Sequence, residues 1–432
     1  MRRFCLWLAL VLWPVLATSE GFFQLEGHGG PIKGIAVSPD GEGILTASFD
    51  NSVGYWRDRV PQWLDGHEAA VNAVAFVSNS EAVSAGDDFS VRHWDLTTGT
   101  SRVLGRHLGK VMSVLVSPSG QHVVSGSWDG TIGIWQLNGG DPRFIQVGTN
   151  VNGLAFAQAG SLLFAGSSDG RIRIYDFASG ALRAQFLSNG FGVNTLSLRE
   201  DAGWLAFGAV DGVTKIVNLA TGALIKDITL DRRPILAMDV SRDGDTLAVG
   251  DGEGYILLMR TADWSIVSDI KATHRGPIWA LTFSADGRNI LAGGLDDAIF
   301  SWPLSVPRDA PRMLTEDRAF LNGNDSTSNG ERQFQRKCSI CHTLTGDSAR
   351  RAGPTLKDLF GRQAGTVADY RYSQTLQEAD IVWNRQTIDA LFDLGPDVYI
   401  EGTKMPVQRI ARAKDRADLI SFLRRYSQTE DR

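Results

Sequence analysis

The sequence predicts a chain of several domains: an all-β propeller of seven blades, followed by a small all-α domain. Three observations carry this. A short motif ending in a large apolar residue recurs seven times at near-constant spacing. Each copy alternates apolar and polar residues between Gly/Asp turns, the period of a half-buried strand. Past residue 328 the alternation gives way to helical spacing around one pair of cysteines.

The first element is not part of the fold. "MRRFCLWLALVLWPVLATSEG" places Arg2 and Arg3 before an apolar run from Phe4 to Leu16, then small residues at Ala17–Ser19. That is the layout of a secretory signal over residues 1–19, cleaved on export. A retained anchor is the alternative. The run falls short of the roughly 20 apolar residues that a spanning helix needs, and Pro14 interrupts it. Export implies a periplasmic location, with no stable membrane span once the signal is gone.

The 432 residues suffice for two or three domains with their own cores. The formal charge of −6 is unevenly spread: residues 329–432 carry +3 and the rest −9. Nothing resembles the basic stripe of a nucleic-acid-binding protein.

The propeller is expected over residues 22–304. "SFDNSVGYW" ends at Trp56, "GDDFSVRHW" at Trp94, "GSWDGTIGIW" at Trp135 and "SSDGRIRIY" at Tyr175. Weaker copies end at Val217, Met259 and Trp302. Successive endpoints lie 38, 41, 40, 42, 42 and 43 residues apart. Six positions before each endpoint stands an acid: Asp50, Asp88, Asp129, Asp169, Asp211, Glu253 and Asp296. Four short strands in about 40 residues make one blade. His28, His67, His107 and His274 open four of the units.

These units resemble WD repeats. The resemblance implies hydrogen-bonded sets within a blade: His28/Thr46/Asp50/Trp56, His67/Ser84/Asp88/Trp94 and His107/Ser125/Asp129/Trp135. A buried imidazole and a buried carboxylate must satisfy each other. Units five and six lack the His and the Trp and match least well. The resemblance also implies that the piece "GFFQLEGH" supplies the last strand of the seventh blade, leaving no open edge. His93 and His122 fall outside the sets, without metal-ligand spacing around them. The propeller therefore reads as a scaffold for binding, not as a catalytic unit.

Residues 305–328 are rich in Pro, Asp, Asn, Ser and Gly and read as a linker. Residues 329–432 form the last domain, with helical spacing from Glu331 into "KCSICHTL". Two cysteines, two spacers and a histidine form the attachment signature of one covalent haem c. Cys338 and Cys341 would add across the vinyl groups, and His342 would present its imidazole to the iron. A zinc site fails for want of ligands: Cys5 leaves with the signal, and His342 is the last histidine in the chain. The sixth iron ligand follows by elimination. Met405 in "GTKMP" is the one methionine after His342, and its soft thioether suits ferrous iron.

"CSICHTL", "GPTLKDLFGRQAG", "DYRYS", "GTKM" and "RADLISFL" stand in order from Gly330 to about Tyr426. This stretch resembles a class I cytochrome c of the mitochondrial or bacterial cytochrome c2 type. The resemblance implies that Gly330 and Phe334 pack the first helix on the last, at Leu419 and Phe422. It implies that Pro354 accepts a hydrogen bond from His342, and that Arg362, Tyr372, Trp383 and Thr403 bond or surround the haem propionates. The chain departs from the pattern in its basic docking ring. Lys337 and Lys404 match, with Arg332, Arg409 and Arg412 nearby, but Asp397 and Glu401 intrude, and Leu391 or Phe392 replaces a pocket tyrosine.

The expected function is a periplasmic carrier of single electrons, with the propeller as docking platform for unidentified redox protein partners. A contact between the acidic propeller and the basic cytochrome is a further expectation. The alternatives are an oxidoreductase with a substrate site in the propeller, and a haem-based sensor in which Met405 dissociates.

Overall fold

The computed structural model describes residues 21–229, 234–304 and 328–427, the last stretch interrupted at 340, 347–352, 369, 371, 401–402, 404 and 406–408. The expected signal and all of the expected linker except Ser328 lie outside the described residues.

Residues 23–303 form seven four-stranded antiparallel sheets. Blade one runs through Ile32–Val37, Gly43–Ser48, Ser52–Arg57 and Val60–Asp65, in sheet order. The innermost strands touch in a closed ring, the seventh blade's Ile278–Phe283 against the first blade's Ile32–Val37. Closure uses the N-terminal piece, as the resemblance implies. Phe23–Glu26 pairs with Ala298–Pro303, Leu25 opposite Ile299, and both side chains are buried. The ring therefore has no gap at the point where the two ends of the repeat array meet.

The three expected hydrogen-bonded sets are present. In blade one, the His28 ring bonds Asp50 at 2.8 Å and Thr46 at 2.6 Å, and Trp56 Nε1 donates to Thr46 Oγ1 at 2.8 Å. In blade two, His67 bonds Asp88 and Ser84, and Trp94 donates to Ser84. Blade three repeats this with His107, Asp129, Ser125 and Trp135. Each hydroxyl is thus shared between an imidazole and an indole, and each set ties two strands, the turn between them and the entering loop together.

One expectation fails in detail, and blade seven arranges its residues differently. The sixth turn acid is Asp251, not Glu253. Asp251 Oδ1 accepts from the backbone N–H groups of Glu253 and Tyr255, whereas the Glu253 side chain is exposed. No histidine opens this unit, so a carboxylate is buried only where turn N–H groups satisfy it. In blade seven, Ala292 occupies the hydroxyl position. Trp302 Nε1 therefore donates to the Ala272 carbonyl, and His274 meets Asp296 through its backbone N–H. Blades five and six, the weakest in sequence, are complete four-stranded sheets.

A regular feature escapes the sequence pattern. Every innermost strand carries a bulge at its second residue. The seven bulged residues are Lys33, Asn72, Met112, Asn152, Asn194, Leu236 and Trp279, and all line the central channel. Three of the asparagines reach the next blade: Asn72 donates to the Val111 carbonyl, Asn152 to Val193 and Asn194 to Ile235. Each accepting carbonyl belongs to the residue just before the next bulge, where the ladder is locally broken. The asparagines thereby latch neighbouring blades.

The C-terminal domain has five helices among the described residues: α1 (Asn329–Lys337), α2 (Gln374–Glu378), α3 (Arg385–Leu394), α4 (Pro396–Tyr399) and α5 (Ala413–Tyr426). Ser328 caps α1 by accepting from the Glu331 N–H, so the helix starts ahead of the expected Glu331. Asn384 caps α3 in a reciprocal bond with Thr387. Helix α1 crosses α5 closely. A Cβ on Gly330 would stand 2.1 Å from the Asp418 carbonyl oxygen, so only glycine permits the crossing. The Phe334 and Phe422 rings meet there at 5.4 Å.

Candidate haem site

Helix α1 ends at the first cysteine. The Cys338 N–H bonds the Phe334 carbonyl, and the N–H groups of Cys341 and His342 both turn back to the Cys338 carbonyl. This single turn brings two thiols and an imidazole to one side of the chain. Cys338 is buried, and burial pushes its thiol up to about 12, with Cys341 nearby adding to the rise. The thiol is neutral and shielded from the competing chemistry of an exposed cysteine.

His342 is fixed by its neighbours. Its Nδ1–H donates to the Pro354 carbonyl at 2.7 Å, which leaves Nε2 with a free lone pair. Burial lowers its pKa, the Pro354 carbonyl opposes that, and the Arg362 cation adds to it. The ring is therefore neutral, the form that ligates a metal. Gly353 lies flush against it: a Cβ there would sit 2.5 Å from His342 Cε1. The Gly353 N–H also bonds the Cys341 carbonyl at 2.9 Å, closing the loop onto the motif.

All nine residues singled out from the sequence line one cavity of about 380 Å³: Cys338, Cys341, His342, Pro354, Arg362, Tyr372, Trp383, Thr403 and Met405. Leu391 and Phe392, at the place of the missing tyrosine, are buried in its wall. Arg362 does more than approach the cavity. Its guanidinium donates to the carbonyls of Lys357 and Thr355, stiffening the loop that begins at Pro354. The Thr403 hydroxyl accepts from the Met405 N–H at 3.2 Å, which orients the methionine's backbone. Trp383 and Arg362 bond through their main chains, joining this loop to the wall opposite. Lys404 and Glu401, expected at the docking rim, lie outside the described residues.

Two residues of the site were not singled out from the sequence. Gly353 was legible only as the Gly of a Gly-Pro pair. Tyr370 stacks edge-on against Tyr372 at 4.8 Å, and burial raises its pKa. Among the described residues there is no cluster of His, Cys, Asp and Glu that could hold a further metal ion, and no helix long and apolar enough to cross a membrane.

The chemistry of the donor set fits a haem. Two thiols, an oriented neutral imidazole and a thioether share one cavity whose walls are mostly leucine, isoleucine, phenylalanine, tyrosine and tryptophan, with Arg362, Thr403 and Ser373 among the polar residues. That combination defines a c-type haem protein, here joined to a propeller. Comparisons with known proteins agree. Residues 327–427 match the family model described as Cytochrome c, and five stretches match WD domain, G-beta repeat: 20–57, 59–95, 99–136, 143–176 and 267–302. The chain is 41% identical to the cytochrome c of Cannabis sativa over 97 residues, covering 22% of this chain and 85% of that protein. It is 40% identical to that of Ginkgo biloba over 101 residues, covering 23% and 88%, and 38% identical to that of Gibberella zeae over 95 residues, covering 22% and 89%. Through its C-terminal domain the chain belongs to the cytochrome c family, and it binds one haem c covalently. The five matched stretches leave out residues 177–266, which hold all of one blade and nearly all of the next, and both are complete four-stranded sheets.

Proposed function

We propose that this protein is a periplasmic one-electron carrier in which His342 and Met405 are the axial ligands and Cys338 and Cys341 the thioether anchors of the haem. The observation that carries the reading is the sharing of one apolar cavity by an oriented, neutral His342 and by Met405. The bound haem supplies a single electron's worth of change between ferric and ferrous iron. The chain's own residues do the rest. Pro354 holds the His342 ring, Gly353 leaves it room, and Arg362 braces the loop beneath it. The apolar walls exclude water and favour the ferrous state with a neutral thioether.

The propeller is the partner-docking scaffold in this reading. Repeat motifs of this kind present loops on a rigid ring, and the ring here contributes blade edges and a channel mouth, not a metal cluster. A tethered scaffold raises the effective concentration of a partner at the haem, to the millimolar range for a short flexible linker. Export follows from the signal-like N-terminus.

Optical titration of the purified protein tests the ligand set. A ferric thioether-to-iron band that vanishes in Met405→Ala supports it; a ferric spectrum unchanged by that substitution sinks it. Fractionation of expressing cells, with sequencing of the mature N-terminus, tests export and cleavage.

A further inference from the structure

In six of the seven blades the turn between the second and third strands contains a left-handed residue; in the seventh, Leu295, Asp296 and Asp297 do without one. In blades three to six that residue is glycine: Gly130, Gly170, Gly212 and Gly254, with φ between 79° and 90°. Blade one uses Asn51 at φ 70°. Blade two uses Phe89 at φ 66°. Asparagine tolerates this region, but a phenylalanine there is a strained outlier. The Phe89 side chain is not fully covered in exchange: the residue remains 39% exposed. A strained and exposed aromatic points to a role beyond the fold.

Its surroundings say what role. The cavity that holds Cys341, His342 and Met405 is bounded on its other side by the propeller, through Phe49, Asn51, Ala69, Ala70, Asp87, Phe89 and Lys110. These residues come from the turns of blades one to three on a single end of the ring, beside the channel mouth. The patch is rigid. Phe49 stacks on Trp279 at 5.5 Å, and Lys33 lies over the same indole at 4.8 Å. It is also internally neutralised: Asp87 is paired with Lys110 and accepts from Asn72 at 2.7 Å. Beside that ion pair and Asn51, the patch offers apolar area from Phe49, Ala69, Ala70 and Phe89.

We propose that Phe89 anchors a docking face on the propeller for the open side of the haem pocket of the same chain. The proposal deepens the scaffold reading and rests on the C-terminal domain holding a haem; it does not depend on who the external partners are. The resting chain is closed, with the haem edge against blades one to three, and an external redox protein reaches that edge only when the two domains part. The face differs from the charge-driven contact expected from the sequence, because its ion pair is satisfied within the propeller.

The test uses the full-length holoprotein and Phe89→Gly, which restores the residue the turn prefers. The propeller is expected to melt at the same temperature or higher. Hydrogen exchange is expected to speed up together at residues 86–90 and 370–376. Reduction of the ferric haem by ascorbate, one electron per iron, is expected to accelerate by roughly threefold to tenfold. Phe89→Leu keeps an apolar side chain and is expected to retain much of the protection. Exchange and reduction rates that do not change in Phe89→Gly, whatever the melting temperature does, overturn the proposal. So does protection that disappears from the wild-type chain in about 0.5 M salt, because that would assign the contact to charge. A haem that cannot be cycled by one-electron reagents sinks the carrier reading instead, and the exchange data still decide the docking.

Discussion

The Nδ1–H of His342 donates to the Pro354 carbonyl oxygen at 2.7 Å, and the glycine before that proline packs face to face with the same imidazole. One bond sets the tautomer and one missing side chain sets the ring's position. Both come from a loop twelve residues downstream of the motif.

The first prediction follows directly. In Gly353→Ala the new methyl would lie 2.5 Å from Cε1 and 2.8 Å from Nδ1 of His342. The ring must tilt or the loop must move, at about 1–3 kcal/mol. The yield of haem-loaded protein, read by pyridine haemochrome against protein mass, should fall. Loading equal to wild type, with the same optical spectrum, would show that the ring is not held this way.

The second concerns Met405 as the proposed second ligand to the iron. Met405→His replaces a soft thioether with an imidazole. The midpoint potential should fall by on the order of a few tenths of a volt, within the roughly 0.8 V that axial ligands command. Spectroelectrochemistry reads this. A potential shifted by no more than its experimental error would mean that Met405 is not a ligand.

The third concerns the blade sets. Ser125→Ala removes the hydroxyl shared by His107 Nε2 at 2.7 Å and Trp135 Nε1 at 2.7 Å. Two buried polar groups lose their partner, which costs about 2–4 kcal/mol. Chemical denaturation followed by tryptophan fluorescence should show it. A loss below about 0.5 kcal/mol would mean that water replaces the hydroxyl.

The fourth concerns pH. Burial alone would raise the Asp88 carboxyl, but bonds from His67, the Glu68 N–H and Ser90 outweigh it and hold the group well below the usual carboxylate range. Burial lowers the His107 imidazole, with Asp129 opposing. Both groups bind a proton more readily unfolded than folded. Their stabilisation is present above the unfolded values, about 6.5 for histidine and about 3.9 for aspartate. It is lost as pH falls below each. Propeller stability should drop in two stages, beginning between pH ~6.5 and ~5 and steepening below ~4. Melting temperatures that stay flat between pH 7 and 5 in His107-intact protein, and match those of His107→Gln, would rule out the first stage.

The fifth concerns ring closure. Leu25 is buried on the strand that completes blade seven. Leu25→Ala should cost about 2–5 kcal/mol, and removal of residues 21–26 should expose the edge of Ala298–Pro303 and promote self-association. Size-exclusion chromatography reads the second effect. A truncated chain that stays monomeric at the stability of wild type would show that the first strand is dispensable.

Much of this was legible in the sequence because the chemistry is local or periodic. The haem motif spans five consecutive residues, and one turn of chain is enough to gather its donors. The blade sets recur at fixed offsets because each blade solves the same burial problem. What escaped was the residue whose role depends on how a neighbour is placed in space, whether near or far along the chain. Glu253 holds the expected offset, yet Asp251 meets the turn N–H groups. His274 opens its unit like the others, yet Ala292 offers no hydroxyl for its ring or for Trp302. Gly353 reads as an ordinary turn glycine until the imidazole is placed beside it.

By itself the sequence determined the kind of molecule: seven blades from seven spacings, and a covalent haem from two cysteines and a histidine, with one methionine left as the proposed second ligand. Those conclusions need only the periods of strands and helices and the valence of the donors. The tertiary structure decided what depends on distance through space. It turned seven bulged residues into a channel, and set Phe89 in a left-handed turn facing the cavity that His342 and Met405 share. Residues hundreds of positions apart meet because closing a ring buries apolar edges. No pattern along the chain records which of them will face each other when it closes.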